Sequence, residues 1–116
     1  MQNAVREGEG GMLAILGSQI KIIEGILNDN KDKFNVQIAN DNSEGQIVLS
    51  GKNDALEKLV QVLKLKNIKC IKLPVSAPFH CKLMNQATEI MKKEIQKLDF
   101  QESKIKLISN VTAKEI

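Results

Sequence analysis

Phe34-Asn35-Val36-Gln37-Ile38-Ala39-Asn40-Asp41-Asn42-Ser43-Glu44-Gly45-Gln46-Ile47-Val48-Leu49-Ser50-Gly51 is the stretch that decides the fold. Phe34, Val36 and Ile38 alternate with Asn35, Gln37 and Ala39, the period-two pattern of a half-buried strand. Asn42-Ser43-Glu44-Gly45 supplies turn chemistry and residues 46–50 resume as a second strand, so the stretch reads as a hairpin. On its N-terminal side, residues 12–16 form a short apolar strand closed by Gly17. Ser18 is then placed to cap a helix whose Ile22, Ile23, Ile26 and Leu27 recur at helical spacing, until Asn28-Asp29-Asn30 stops it. On the other side, Gly51-Lys52-Asn53-Asp54 opens a second helix with Leu56, Leu59, Val60 and Leu63 on one face. Asn67 ends it, and residues 69–73 read as a further strand.

The resulting order is β-α-β-β-α-β, an α+β arrangement of the ferredoxin-like kind, with two helices on one face of an antiparallel sheet. Before it, residues 1–6 are partly apolar and are broken by Glu7-Gly8-Glu9-Gly10-Gly11, so no core forms around them. After Pro74 the pattern changes. Leu83, Met84, Ala87, Ile90, Met91, Ile95 and Leu98 predict a third helix that starts near Cys81 or Lys82, and residues 105–109 predict one more strand. A four-stranded sheet of this kind has no evident need of either. Both are expected to pack against protein that these residues do not include.

At 116 residues the chain is one domain's worth of protein. Apolar residues at 42% and charged residues at 27% are near globular averages, which argues against disorder. The apolar runs are only a few residues long and the first residues lack the layout of a signal peptide, so a cytoplasmic chain without membrane attachment is expected. The net charge of +3 is spread over several segments, and only 3% of residues are aromatic, with no Trp or Tyr. This excludes a base-stacking nucleic-acid surface as the leading reading. Cys70 and Cys81 do not have metal-ligand spacing and are expected to be reduced thiols.

Leu73-Pro74-Val75-Ser76-Ala77-Pro78-Phe79-His80-Cys81-Lys82-Leu83-Met84 holds both prolines and the single histidine of the chain. Taken alone it reads as an exposed strand-to-helix crossover in which His80 is an ordinary surface residue. Ser43, in Asp41-Asn42-Ser43-Glu44-Gly45, is the nearest imitation of a Gly-x-Ser-x-Gly nucleophile elbow. It lacks the first glycine and lies in a hairpin turn, so it is a turn residue.

Several segments together resemble the malonyl-CoA:acyl-carrier-protein transacylases and the acyltransferase domains related to them. They are Met1-Gln2, Gly11-Met12-Leu13-Ala14-Ile15-Leu16-Gly17, the run from Ala39 through Gly51 quoted above, Pro74-Val75-Ser76-Ala77-Pro78-Phe79-His80, Leu83-Met84, and Ser109-Asn110-Val111-Thr112-Ala113. Each is short, but all fall in the family's order and spacing across essentially the whole chain. The resemblance implies a large α/β-hydrolase-like subdomain with a ferredoxin-like small subdomain inserted in it. On that mapping residues 1–10 end a large-subdomain helix and linker. Residues 11–74 are the small subdomain, and residues 75–116 return to the large one.

The same resemblance implies malonyl transfer from coenzyme A to the phosphopantetheine thiol of acyl carrier protein in fatty-acid synthesis, through a serine ester. By match to the Pro-Val-Ser-Ala-Pro-Phe-His segment, His80 is the base that activates the serine. The serine elbow, the arginine that clamps the malonyl carboxylate and the oxyanion-forming glutamine match no residue here. The 116 residues are therefore expected to be an internal fragment, inactive alone. Asn40 and Asn42 match residues beside the cleft where the pantetheine arm enters; capping turns locally accounts for them equally well. Phe79 forms the Phe-His pair associated with malonyl, and Met1 matches a position next to the acyl pocket. Glu44 and Lys82 stand where the family commonly has proline, and neither touches the base. No cofactor or metal is implied. The implied partners are acyl carrier protein and a coenzyme A thioester. Self-association or domain swapping through Leu83, Ala87, Ile90, Met91 and Ile95 is also expected. The alternatives are a free-standing ferredoxin-like binding or regulatory module and a segment of a polyketide acyltransferase.

Overall fold

The computed structural model describes Arg6 and residues 8–116. The elements run β1 (Gly10–Leu16), α1 (Ile20–Asp29), β2 (Val36–Ser43), β3 (Gln46–Lys52), α2 (Asn53–Leu65), β4 (Lys69–Lys72), a 3-10 turn (Lys82–Met84) and α3 (Asn85–Ile95). The four strands form one sheet in the order β2-β3-β1-β4, with every neighbouring pair antiparallel. The chain is thus mixed α and β, built on a four-stranded antiparallel sheet.

Leu13 and Ile15 of β1 face the same side as their partners Leu49 and Ile47 of β3. The apolar stripes of α1 and α2, carried by Ile23, Ile26, Leu56, Leu59 and Leu63, close over that side and join them in one buried cluster with Phe34 and Val36. Leu59 is 0% exposed. Burying a side chain of this size stabilises the fold by about 1.5–3 kcal/mol. The opposite side of the sheet is also covered at its centre, because Met12, Ala14, Val48 and Ser50 are buried. The Ser50 hydroxyl there has no hydrogen-bond partner among the described residues.

The hairpin of β2 and β3 turns at Gly45, whose φ of +78° suits glycine, and the Gly45 carbonyl accepts the Gly17 N–H at 2.7 Å. Strand β2 is less regular than its alternation suggests. Ile38 pairs with Leu49 but Asn40 pairs with Val48, so Ala39 is an inserted bulge residue, and a second irregularity lies between Asp41 and Ser43. The first bulge puts Asn40 on the same sheet face as Gln37, Val48 and Ser50.

Four expectations change. Ser18 does not cap α1: Gln19 holds the N-cap position, without a side-chain cap, and its carbonyl accepts the Ile22 and Ile23 N–H groups. The third helix begins at Asn85, behind the short 3-10 turn, and ends at Ile95, leaving Leu98 beyond it. Residues 105–109 form no strand of the sheet; Ile108 and Glu115 make an isolated antiparallel bridge. Of the five residues expected to present an apolar face, Ile90, Met91 and Ile95 are exposed, whereas Ala87 is buried and Leu83 half-buried.

Candidate functional site

The segment that follows β4 is folded onto the second face of the sheet as a chain of tight turns. Its entry is tied to β1 by the Leu73 N–H, which donates to the Met12 carbonyl at 2.9 Å. The Val75 N–H reaches the Leu73 carbonyl at 2.8 Å and the Phe79 N–H the Ala77 carbonyl at 3.1 Å. Between them Ala77 and Pro78 are buried. Pro78 sits on Gly10, where a Cβ would lie 2.4 Å from the proline Cδ. Only a residue without a side chain lets the loop lie this close to β1.

His80 follows at φ +57°, in the left-handed region that few residues other than glycine, asparagine, aspartate and histidine visit. The Cys81 thiol donates to the Pro78 carbonyl at 3.1 Å, and the Met84 N–H bonds the Cys81 carbonyl at 2.9 Å to start the 3-10 turn. The Lys82 N–H donates to Gln37 Oε1 on β2 at 2.7 Å. The loop is therefore pinned to the sheet on either side of the histidine, and His80 itself is exposed.

His80 opens onto a groove of about 870 Å³. Phe79, Met84, Met91 and Ile95 give it apolar walls, and Gln37 and Ile38 of β2 stand across from α3. An imidazole at the mouth of an apolar groove can take a proton from a group presented there and return it to a leaving group. Phe79 and His80 are thus brought together. Asn40 and Asn42 are not among the groove's lining residues: Asn40 is half-buried on β2, opposite Val48, and Asn42 is exposed near the hairpin turn. Met1 lies outside the described residues. Gln37 went unrecognised in the sequence because its partner is 45 residues away. Only its place opposite Ser50, on a face that turns out to be covered, singles it out.

Cys70 and Cys81 are free thiols. Among the described residues no group of three or more His, Cys, Asp or Glu side chains is placed to hold a metal ion, and no helix is long and apolar enough to cross a membrane.

No protein-family profile matches the chain. Individual proteins do. The malonyl CoA-acyl carrier protein transacylase of Bacillus subtilis (strain 168) is 38% identical over 115 residues, covering 97% of this chain and 36% of the relative. The crystal structure of the malonyl CoA-acyl carrier protein transacylase from Clostridium perfringens superposes with a TM-score of 0.89 at 40% identity, over 100% of this chain and 37% of that one. The chain is a homologue of a segment of these transacylases. A structure of a type II PKS acyl-carrier protein in complex with its malonyl-transacylase also matches, at 30% identity and a TM-score of 0.87, over 99% of this chain and 38% of that one. The homology covers the His80 loop, the groove and the sheet together, but the chain spans little more than a third of the length of the transacylases it matches.

Proposed function

We propose that these residues serve a malonyl-CoA:acyl-carrier-protein transacylase of fatty-acid synthesis as its ferredoxin-like small subdomain, residues 11–74, and its histidine-bearing return segment, residues 75–116. The observation that carries the reading is the presentation of His80, held in a left-handed turn at the mouth of an apolar groove within a chain homologous to transacylases over nearly all of its length.

In this reading a serine from outside the 116 residues is the nucleophile. A serine hydroxyl needs a base to become reactive. His80 takes its proton as the oxygen attacks the malonyl carbonyl, the C–S bond breaks, and the proton passes to the departing coenzyme A thiolate. In the second half the phosphopantetheine thiol of acyl carrier protein gives its proton to His80 and attacks the serine ester, and the histidine returns the proton to the serine oxygen. No cofactor takes part. Phe79 lines the acyl side of the base, and Asn40 and Asn42 offer amides to the pantetheine arm. The enzyme works in the cytoplasm. Exposed Ile90, Met91 and Ile95 argue against a free-standing module, which would cover its last helix, and they mediate self-association of the isolated chain.

The test is a chimera in which these 116 residues replace the matching segment of the Bacillus subtilis transacylase. Malonyl transfer to phosphopantetheinylated carrier protein is expected from the chimera and not from the 116-residue chain alone. His80→Ala in the chimera is expected to lower kcat by ~10³-fold or more. Near-normal turnover of that variant would remove His80 from the role of base.

A further inference from the structure

Between the buried Pro78 and Lys82 lie three residues, Phe79, His80 and Cys81, and the middle one holds a left-handed backbone. A non-glycine residue stays in that region only when its surroundings over-determine it. On the entry side the constraint is Pro78 seated on Gly10. On the exit side it is the bond from the Lys82 N–H to Gln37 Oε1, at 2.7 Å. Gln37 is itself fixed by its place on β2 opposite Ser50, and it lines the groove that His80 opens onto.

We propose that Gln37 is a positioning residue for His80: its side-chain carbonyl, by holding the Lys82 amide, fixes the turn that aims the imidazole into the groove. The inference rests on the reading of His80 as the base. It assigns the role to the acceptor oxygen of residue 37 and to the backbone of residue 82, so the lysine side chain is not required.

His80 is the single histidine, so its signals in the 116-residue chain are unambiguous by NMR. In Gln37→Leu, amide exchange at Lys82 is expected to rise about 2- to 10-fold, the worth of one hydrogen bond. The His80 Cα and Cβ shifts are expected to leave their left-handed values, while the amides of Leu13 and Leu49 in the core exchange as before. Gln37→Glu keeps an acceptor and is expected to restore both signatures. In the chimera, Gln37→Leu is expected to lower kcat by about tenfold with the KM for malonyl-CoA within about twofold, because misaiming the base costs chemistry more than binding. Unchanged Lys82 exchange and His80 shifts in Gln37→Leu would overturn the proposal, as would a loss of protection spread equally to Leu13 and Leu49. These failures are read in the isolated chain by NMR. Failure of the base assignment is read separately, in the turnover of the His80→Ala chimera.

Discussion

Residues 10–72 and residues 85–116 use apolar side chains at similar spacing and put them to opposite ends. In the first stretch, Leu13, Ile15, Ile47, Leu49, Leu59 and Leu63 disappear into one core under α1 and α2. In the second, Ile90, at 59% exposure, stands in solvent with Met91, Ile95, Leu98, Phe100, Leu107 and Val111. Helical periodicity says which residues share a face, but not whether anything is there to cover it. The sheet gives α1 and α2 a partner, while α3 lines a groove opposite β2 and leaves Ile90, Met91 and Ile95 exposed.

The contrast can be pressed hardest at its extremes. Leu59→Ala, at a site 0% exposed, is expected to destabilise the fold by about 2–5 kcal/mol in urea unfolding monitored by circular dichroism. A loss below about 1 kcal/mol would mean that the helix-covered core is looser than its burial implies. Gly10→Ala comes next, because the added methyl meets Pro78 at the boundary between the two regions. It is expected to cost about 1–3 kcal/mol and to shift the His80 resonances more than those of Leu59. Equal shifts at both residues would show that the loop is not separately seated on β1. The smallest stability effect is expected from Ile90→Lys combined with Met91→Lys, within about 0.5 kcal/mol for each exposed site. The same pair should lower the apparent mass of the chain in light scattering. A wild-type chain that is monomeric at millimolar concentration would end the self-association reading.

The hairpin and the β-α-β-β-α-β order were legible in the sequence because local alternation and turn residues determine them. What escaped depends on distant partners. The bulge at Ala39 is invisible in a run that alternates smoothly up to it; only the pairing with Val48 shows that Asn40 has changed register. Ser18 had the right chemistry for a cap, but the chain turns at Gly17, φ +76°, and the helix starts two residues after Ser18. Residues 105–109 have strand-like composition but no sheet edge beside them among the described residues. At the site, His80 and Phe79 were legible through their motif and do share the groove, whereas Asn40 and Asn42 carry motif agreement and do not line it. Gln37 offered no local sign, since its hydrogen bond is made to a backbone amide in a remote segment.

The left-handed backbone at residue 80 also acts as a filter on evolutionary drift. Glycine and asparagine fit φ +57° with little cost, while β-branched residues such as valine or isoleucine would strain the turn. Relatives that keep this loop but have lost the histidine are therefore expected to carry glycine, asparagine or aspartate at this position, with a stable fold. Loss of the imidazole would then leave the architecture intact.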